Sequence, residues 1–424
     1  MELSIENGRL IDPANGIDEI ADIHVSGSRI KAVGTPSTGF APQRTIDAAG
    51  RYVLPGIVDL CVRLREPGEE HKATIQSETR SAASGGITSV VCPPDTLPVI
   101  DTPGMVHMIH DRAEAAGFAD VHPLGALTVG LKGTQLTDMA TLSDAGCVGV
   151  SNALESVENT LLMRRAMQYA STYGIPVFLT PCDPWLQGNG VVHEGVISTQ
   201  LGLPAVPEAA ETVGIARDIA LVETSGAAAH FDLISCERSV FRLSEARQRQ
   251  LPITASVAIH HLLCSESDIG EFNTQFKVMP PLRTQRDREG LIQGLASGDI
   301  SAICSDHQPH SMDAKLAPFS EAATGIAGLD TLLTLAWSLV RSDQLDAKTV
   351  IAALTANPAR IAGLECGDLA AGKAADLLIF DPDIKWTLDD STMISRGRNS
   401  PWFGRELHGK VVLTVKDGSI VWES

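Results

Sequence analysis

The chain has few aromatic residues and an excess of acids over bases. Aromatic residues make up 4% of its 424 residues, although 44% are hydrophobic, so aliphatic side chains must form most of the core. The 33 Lys and Arg residues are outnumbered by 52 Asp and Glu residues, which gives a net charge of -19. Nucleic acids and anionic membranes attract clustered basic residues, so this balance argues against both as partners.

The chain also lacks paired cysteines and long apolar runs. Its 8 cysteines are scattered singly with no C-x-x-C pair, so we expect small buried thiols rather than a disulfide framework. No apolar run is long enough to span a bilayer, and the N-terminal stretch MELSIENGRLIDP has no apolar segment of signal-peptide length. These features predict a cytoplasmic protein.

Short alternating β-type runs at both ends of the chain predict a composite β-sandwich. LSIENGRLID and DIHVSGSRIKAVG carry Asn-Gly and Ser-Gly pairs, which are hairpin signals. Near the other end, ADLLIFDPD is followed by GKVVLTVKDGSIVWES, in which Asp-Gly closes a hairpin. We expect segments 1–54 and 362–424 to form this sandwich together.

The segment 55–361 predicts a parallel barrel. Short apolar runs alternate with Ala-rich amphipathic stretches such as IQSETRSAASG and VENTLLMRRAMQYASTYG; the runs include GIVDLCV, GITSVVCP, CVGVSN, IPVFLTP, AAAHFDLIS, PITASVAI and ISAICSD. Repetition of this alternation roughly eight times is typical of an α/β fold of the (β/α)8 TIM-barrel type, whose chemistry lies at the C-terminal ends of the strands. A doubly wound open sheet is the alternative, but no glycine-rich fingerprint follows the first strand.

Several motifs resemble those of the dihydroorotases of the amidohydrolase superfamily, over essentially the whole chain. They include NGRLIDP, LREPG, GGITSVVCPPDT, LGLPAVPEAAE, FKVMPPLRT, SDHQPH, TANPARIAGL and SRGRNSPWFGREL. The resemblance implies a metal-dependent barrel with a composite β-sandwich. It also implies interconversion of carbamoyl aspartate and dihydroorotate, with zinc activating a water and an Asp moving the proton.

Most metal-ligand positions implied by this resemblance hold other residues. The family's His-x-His pair after the first strand corresponds to Cys61 and Arg63; the other matching positions are Asn152, Thr180, Leu233 and Asp306. Only Asp306 is a family ligand, and a guanidinium cannot coordinate zinc. We therefore predict no metal, no cofactor and no catalysis, that is, a degenerate pseudoenzyme.

Arg63 would bring a buried charge into the barrel. Such a charge is tolerated when it is paired, and strands 1 and 8 are neighbours in a closed barrel. We therefore predict an ion pair between Arg63 and Asp306 at the position of the family's metals.

Three further polar residues are candidate relics of substrate binding: Arg65, Asp95 and His310. Arg65 corresponds to the family's carboxylate-binding arginine, and its partner could be a ligand or a neighbouring loop. Asp95 stands where the family has asparagine, as does Met279.

The remaining cysteines and histidines have structural interpretations beside the functional ones. Cys61 and Cys182 could together act as a surrogate thiolate site, but buried inert thiols are favoured. His193 is expected in a loop, and structural or relic roles are expected for His260, His261 and His307. LGLPAVPEAAE and SRGRNSPWFGREL are expected to serve packing or an interface.

Three functions of different classes stay open. The favoured one is a non-catalytic assembly subunit, in a hetero-oligomer with the aspartate carbamoyltransferase catalytic chain of de novo pyrimidine biosynthesis, because the resemblance extends to inactive dihydroorotase-like chains that associate with that enzyme. The second is a metal-free or mononuclear hydrolase of a cyclic amide. The third is a binding module that senses dihydroorotate or carbamoyl aspartate through Arg65.

Overall fold

The computed structural model describes residues 2–36 and 39–424; Met1, Ser37 and Thr38, which belong to the predicted segment 1–54, lie outside the described residues. None of the helices in these ranges combines the length and apolar composition needed to cross a membrane. The strands are β1 (Glu2–Glu6), β2 (Arg9–Asp12), β3 (Ile17–Ile20), β4 (Ile23–Ser26), β5 (Arg29–Val33), β6 (Arg44–Asp47), β7 (Tyr52–Pro55), β8 (Ile57–Asp59), β9 (Ile87–Cys92), β10 (Asp120–Pro123), β11 (Gly125–Ala126), β12 (Val150–Ser151), β13 (Val177–Leu179), β14 (Val192–His193), β15 (Ala205–Val206), β16 (Ala229–Phe231), β17 (Ile253–Ala258), β18 (Ala302–Cys304), β19 (Leu377–Thr387), β20 (Glu406–Lys416) and β21 (Ser419–Glu423).

The helices include the two expected from amphipathic spacing, α1 and α4. In chain order they are α1 (Ile75–Ser84), α2 (Pro103–Ala116), α3 (Met139–Asp144), α4 (Thr160–Tyr173), α5 (Pro184–Gln187), α6 (Val196–Leu201), α7 (Glu208–Ser225), α8 (Glu237–Gln248), α9 (Ile259–Leu263), α10 (Gln285–Ser297), α11 (Leu332–Arg341), α12 (Ala347–Leu354) and α13 (Ala356–Ile361). Thr74 and Ser77 form a capping box at the start of α1, which satisfies two otherwise unpaired amide groups.

Strands from both ends of the chain form two sheets around a common apolar core. One sheet has the order β5-β4-β1-β6, and the other has the order β21-β20-β19-β7-β2-β3. β7 pairs in parallel with β2 and antiparallel with β19, so the two chain ends share a sheet. Leu3 and Val25 of the first sheet belong to the same buried cluster as Leu377 and Val415 of the second. The exact domain boundaries stay a prediction.

Two of the three predicted hairpins are confirmed. β4 pairs with β5 and β20 with β21, both antiparallel. The hairpin predicted at Asn7-Gly8 is wrong, because β1 and β2 lie in different sheets. Asn7 has a φ of 63°, but Gly8 does not have the positive φ that the second position of a type I′ turn requires. A Cβ at Gly8 would lie 2.5 Å from Val53 Cγ2, so glycine allows the chain to pass closely between the sheets.

A closed parallel barrel follows the sandwich strands. Within the described ranges, eight strand positions form it: β8, β9, β10 with β11, β12, β13, β16, β17 and β18. The first and last strands meet through a parallel bridge between Val62 and His307, which excludes the open doubly wound sheet and confirms the barrel fold class. The third strand was not among the apolar runs, because Asp120 and His122 interrupt it.

The barrel interior is filled by small and aliphatic side chains. The buried residues of this cluster include Leu60, Val91, Leu124, Phe178, Ala258 and Ala302. Because the strands are parallel, all their C-terminal ends open at one face. The loops that follow them form the mouth of the barrel, where the candidate site lies.

Candidate functional site

The chain continues from β8 into two inward-facing residues, Cys61 and Arg63. Strand alternation places both side chains inside the barrel. The Arg63 side chain is 5% exposed, and its Nη1 lies 3.1 Å from Asp306 Oδ1. The ion pair predicted between Arg63 and Asp306 is therefore confirmed. Arg63 Nε also donates to Asp95 Oδ2 at 2.7 Å, and this second partner was not predicted from the sequence. The sequence did contain a signal for this contact: a base, Arg63, and an acid, Asp95, each stand where the family has a neutral residue.

Electrostatics keep Arg63 charged and Cys61 neutral. Burial opposes the charge of Arg63, but the carboxylates of Asp95 and Asp306 outweigh that effect and raise its pKa well above the usual value. Burial raises the pKa of the Cys61 thiol well above its usual value, so Cys61 stays a thiol, 3.6 Å from Asp306 Oδ1. Burial likewise raises the pKa of Cys182 to about 11, and this thiol donates to Gln187 at 2.9 Å. Without a metal, both groups are therefore neutral thiols.

Asp306 has one fully engaged oxygen and one free oxygen. Its Oδ1 accepts from Arg63 and, at 3.0 Å, from Gln308 Nε2. Its Oδ2 is buried and has no hydrogen-bond partner among the described residues. Burial raises the pKa of Asp306 to about 6, although Arg63 acts in the opposite direction. A carboxylate with a pKa near neutrality and a free lone pair can act as a general base.

Two further buried polar residues belong to β16 and to the segment that follows it, His230 and Asp232. Asp232 accepts from Ser256 Oγ, and burial raises its pKa. His230 Nδ1 lies 2.8 Å from Thr254 Oγ1, and its Nε2 lies 3.9 Å from Asp232 Oδ1 and has no hydrogen-bond partner within residues 2–36 and 39–424. Burial lowers the pKa of His230 to about 3, so this imidazole is neutral.

The residues at the matching positions do not fit the zinc that the family resemblance implies. Asn152 donates to the carbonyls of Leu131 and Glu155, and Leu233 packs in the apolar barrel cluster. Thr180 lines a narrow cleft beside Cys182. Among residues 2–36 and 39–424, no group of three or more His, Cys, Asp or Glu side chains is arranged to hold a metal. Arg63 offers no lone pair and would repel a cation. That the protein binds no zinc in solution stays a prediction.

Several barrel strands end in left-handed backbone at non-glycine residues. The φ angles are 62° at Arg65, 50° at Ala153, 57° at Leu233 and 45° at Asp306. Such conformations are costly for residues with a Cβ, and they persist where the surrounding structure holds them, commonly at functional sites. The backbone at the mouth therefore has the strained geometry that is common at functional sites, although most residues at the family's metal-ligand positions differ from those of the family.

Arg65 closes one side of a cavity at the mouth. The cavity has a volume of about 290 Å³, and its lining includes Arg63, Arg65, Glu69 and Asp95. Arg65 Nη1 donates to Glu69 Oε2 at 3.1 Å, so the carboxylate partner comes from the same loop and not from the neighbouring loop that was one of the two expectations. Its Nη2 lies 3.0 Å from Nε2 of His310. Burial and Arg65 lower the pKa of His310 to about 3, which keeps this imidazole neutral.

A buried network supports the strand that carries Asp306. The side chains of His307 and Glu78 are both 0% exposed, with His307 Nε2 2.9 Å from Glu78 Oε2. Gly328 N donates to His307 Nδ1, so Nε2 carries the proton and donates to Glu78. Ser395 Oγ also donates to Glu78. The SRGRN segment therefore holds α1 and the end of the last barrel strand, β18, together. This packing role matches the one expected for that segment.

His193 was expected to lie in a loop, and this prediction is wrong. It ends β14, is 7% exposed, and its Nδ1 accepts from Arg283 at 3.0 Å. The structural roles expected for His260 and His261 fit their geometry, since both are buried with ring centroids 4.6 Å apart. Among the described residues, no hydrogen bond joins these histidines to Arg63, Asp95 or Asp306.

A closed barrel with polar strand ends and a sandwich from both chain ends is the architecture that the resemblance to amidohydrolases implies. The chain superposes on an L-hydantoinase (dihydropyrimidinase) from Arthrobacter aurescens with a TM-score of 0.89, covering 100% of this chain and 96% of that chain at 24% identity. It superposes on a D-hydantoinase (dihydropyrimidinase) from Thermus sp. with a TM-score of 0.85, covering 99% and 95% of the two chains at 24% identity. At this identity the likeness establishes the fold.

Sequence similarity identifies the family within that class. Family models described as "Dihydro-orotase-like" and "Amidohydrolase family" match residues 50–239 and 309–422. A "Dihydroorotase-like protein" of Pseudomonas aeruginosa is 44% identical over 100% of both chains. A "Dihydroorotase" of Anaeromyxobacter sp. (strain K) is 41% identical over 99% of this chain and 98% of that protein. The chain belongs to the dihydroorotase-like family of amidohydrolases.

The prediction that the chain is not an enzyme is contradicted by these relatives. A protein named dihydroorotase matches it at 41% identity over nearly its whole length, which points to an enzyme. The physical reason for the error is that counting metal ligands tests only for metal-assisted chemistry. The barrel retains a buried acid with a free oxygen beside a fixed guanidinium, and such a pair can carry out acid–base chemistry without a metal.

Proposed function

We propose that the chain works in pyrimidine biosynthesis at a metal-independent dihydroorotase-type site. The observation that carries the proposal is the position of Arg63, whose guanidinium lies between Asp306 and Asp95 where the family's metals are expected. A fixed cation in a site shielded from water stabilises an oxyanion electrostatically, which is the contribution that a metal makes to amide hydrolysis. The substrate class is dihydroorotate and its ring-opened form, carbamoyl aspartate.

Asp306 supplies the proton transfer in this proposal. In the hydrolytic direction, Oδ2 takes a proton from water as the water oxygen bonds to the ring carbonyl carbon. The carbonyl oxygen becomes an oxyanion beside the Arg63 guanidinium. When the carbon–nitrogen bond breaks, Asp306 returns the proton to the ring nitrogen, and carbamoyl aspartate results. Ring closure is the reverse sequence. General-base catalysis of this kind contributes about 10²–10⁴-fold in rate.

Turnover by metal-free protein tests the site chemistry. Protein treated with chelator and shown by elemental analysis to be metal-free should convert dihydroorotate to carbamoyl aspartate. Asp306→Asn should lower the rate at least about 100-fold, because the amide cannot accept the proton. Glu245→Gln, in the last turn of α8 at the opposite end of that helix from the mouth, is the matched acid-to-amide control and should leave the rate unchanged. Turnover that requires added zinc, or that Asp306→Asn leaves unchanged, overturns the site chemistry.

We further propose that the chain assembles with the aspartate carbamoyltransferase catalytic chain. Exposed apolar side chains in the connections after barrel strands β13 and β18 support an interface at the mouth: Trp185 of α5 is 82% exposed, Val196 of α6 is 68% exposed and Leu316 is 77% exposed. Contiguous exposed apolar patches are typical of protein contact sites. The net charge of -19 favours a partner surface with basic residues and faster association at low salt.

Co-expression followed by size-exclusion chromatography tests the assembly. The two chains should elute together at micromolar concentration, with an interface that buries roughly 2,000 Å² or more. Trp185→Asp should weaken the complex without changing metal-free turnover, and Phe241→Asp, a similarly exposed apolar residue on α8, is the control. If the proteins elute separately and the transcarbamoylase is fully assembled and active alone, the assembly role is wrong.

A further inference from the structure

The mouth cavity contains two arginines that are already paired with acids of this chain. Arg65 is paired with Glu69, four residues later in the same turn, at 3.1 Å. Arg63 is paired with Asp95, which reaches it from the loop after β9, at 2.7 Å. All four side chains line the same cavity of about 290 Å³. The cavity that would receive an acidic ligand is therefore already supplied with carboxylates.

The guanidinium of Arg63 has an inner and an outer edge. Nη1 on the inner edge contacts Asp306, whose side chain is 1% exposed and cannot leave without stranding a buried charge. Nε on the outer edge contacts Asp95, whose side chain is 27% exposed and belongs to a loop at the cavity wall. Asp95 is thus the partner that can move into water at low cost.

We propose that Asp95 is a built-in carboxylate ligand that guards the site: it occupies the outer edge of Arg63 in the free protein, and the carboxylate of an acidic substrate displaces it. This inference deepens the proposed function by naming the group that selects an acidic ring over a neutral one. Arg63 is buried, so releasing Asp95 without a replacement leaves part of a charge unpaired. A ligand with a carboxylate provides the replacement, and a neutral ring does not.

The exchange of one carboxylate for another predicts a specific affinity pattern. In the wild-type protein, part of the binding free energy of an acidic ligand is spent in displacing Asp95. Asp95→Asn removes this competition, so dihydroorotate should bind at least about tenfold more tightly. Dihydrouracil, the same ring without the carboxylate, should bind with unchanged affinity. Glu70→Gln is the matched control, because it removes one negative charge from the loop beside the cavity but leaves the pairs of Arg63 with Asp95 and of Arg65 with Glu69 intact.

Calorimetry with the two rings and the three proteins distinguishes a displaced ligand from a general charge effect. Under the proposal, Asp95→Asn raises the affinity for dihydroorotate and Glu70→Gln does not. Equal gains in the two variants mean that any lost negative charge at the mouth has the same effect, and the proposal is then wrong. Asp95→Ser, which also lacks the carboxylate, should behave as Asp95→Asn does and guards against an effect peculiar to the amide.

A substrate-independent measurement separates this inference from the proposed function. Acetate, compared with chloride at equal ionic strength, should raise the melting temperature of Asp95→Asn but not of the wild-type protein or Glu70→Gln, because only Asp95→Asn frees an edge of a guanidinium that lines the cavity. If acetate stabilises Asp95→Asn while dihydroorotate binds to none of the proteins, the role of Asp95 stands and the proposed substrate is wrong. If acetate does not distinguish the variants, the role of Asp95 is wrong whatever the substrate.

Discussion

Replacing Arg63 by methionine tests the central feature of the site. The change keeps most of the side-chain volume and removes the cation between Asp306 and Asp95. Asp95 can turn towards water, but Asp306 is 1% exposed and loses the only cation that contacts it in the described residues. Removing one partner of a buried ion pair costs about 3–5 kcal/mol of unfolding free energy. We expect Arg63→Met to show a loss of this size near pH 8.

The loss should depend on pH because Asp306 can escape it by taking a proton. Burial already raises the pKa of Asp306 to about 6 with Arg63 present. The folded protein therefore binds more protons than the unfolded chain between pH 3.8 and about 6, and stability falls as pH rises through that window. Without Arg63, the pKa of Asp306 in the folded protein rises further. As pH increases above about 6, the free energy of unfolding of the wild type therefore levels off, whereas that of Arg63→Met goes on falling by up to about 1.4 kcal/mol per pH unit.

Urea denaturation at about pH 5 and about pH 8 measures the effect. Near pH 5, Asp306 is protonated in both proteins, so the cost of Arg63→Met should shrink by about 2 kcal/mol or more. Asp306→Asn alone should cost less than Arg63→Met, because Arg63 keeps Asp95. The variant that combines Arg63→Met with Asp306→Asn should recover part of the unfolding free energy that Arg63→Met alone loses near pH 8. An equal cost at both pH values, or a cost below about 1 kcal/mol near pH 8, would refute the buried-pair reasoning.

Three further predictions use other buried groups. Burial and Lys277 lower the pKa of Lys315 to about 7, so stability should rise with pH from about 7 to 10.5, and urea midpoints should show that Lys315→Met removes this slope. Although burial opposes it, hydrogen bonds from His307 and Ser395 lower the pKa of Glu78 below 4.5, so its contribution is present above that pH and lost on acidification. Glu78→Gln should therefore cost about 1–3 kcal/mol near pH 7 and less in acid; a cost that grows on acidification would contradict this sign. Cys61→His should not confer stoichiometric zinc on elemental analysis, because Arg63 still repels the cation; about one zinc per chain in this variant would show that the reading of the site is wrong.

The sequence by itself determined the architecture and the inward direction of two site residues. Side-chain alternation and helical spacing are local properties, so the apolar runs and the amphipathic stretches that gave α1 and α4 were readable without tertiary information. The same alternation turned Cys61 and Arg63 inwards. Closure of a barrel makes strands 1 and 8 neighbours, and this was enough to pair Arg63 with Asp306.

Only the tertiary structure decided which second acid reaches Arg63 and what the site can do. Asp95 and Arg63 are 32 residues apart and meet through the path of a loop, which no periodicity encodes. The split of β1 and β2 between two sheets likewise depended on the φ of one glycine and on the close approach of Val53. Burial, not residue type, raised the pKa of Asp306 to about 6 and left Oδ2 free. Counting ligands along the chain therefore described the metal chemistry, whereas the acid–base capacity of the site arose from desolvation, which exists only in the folded barrel.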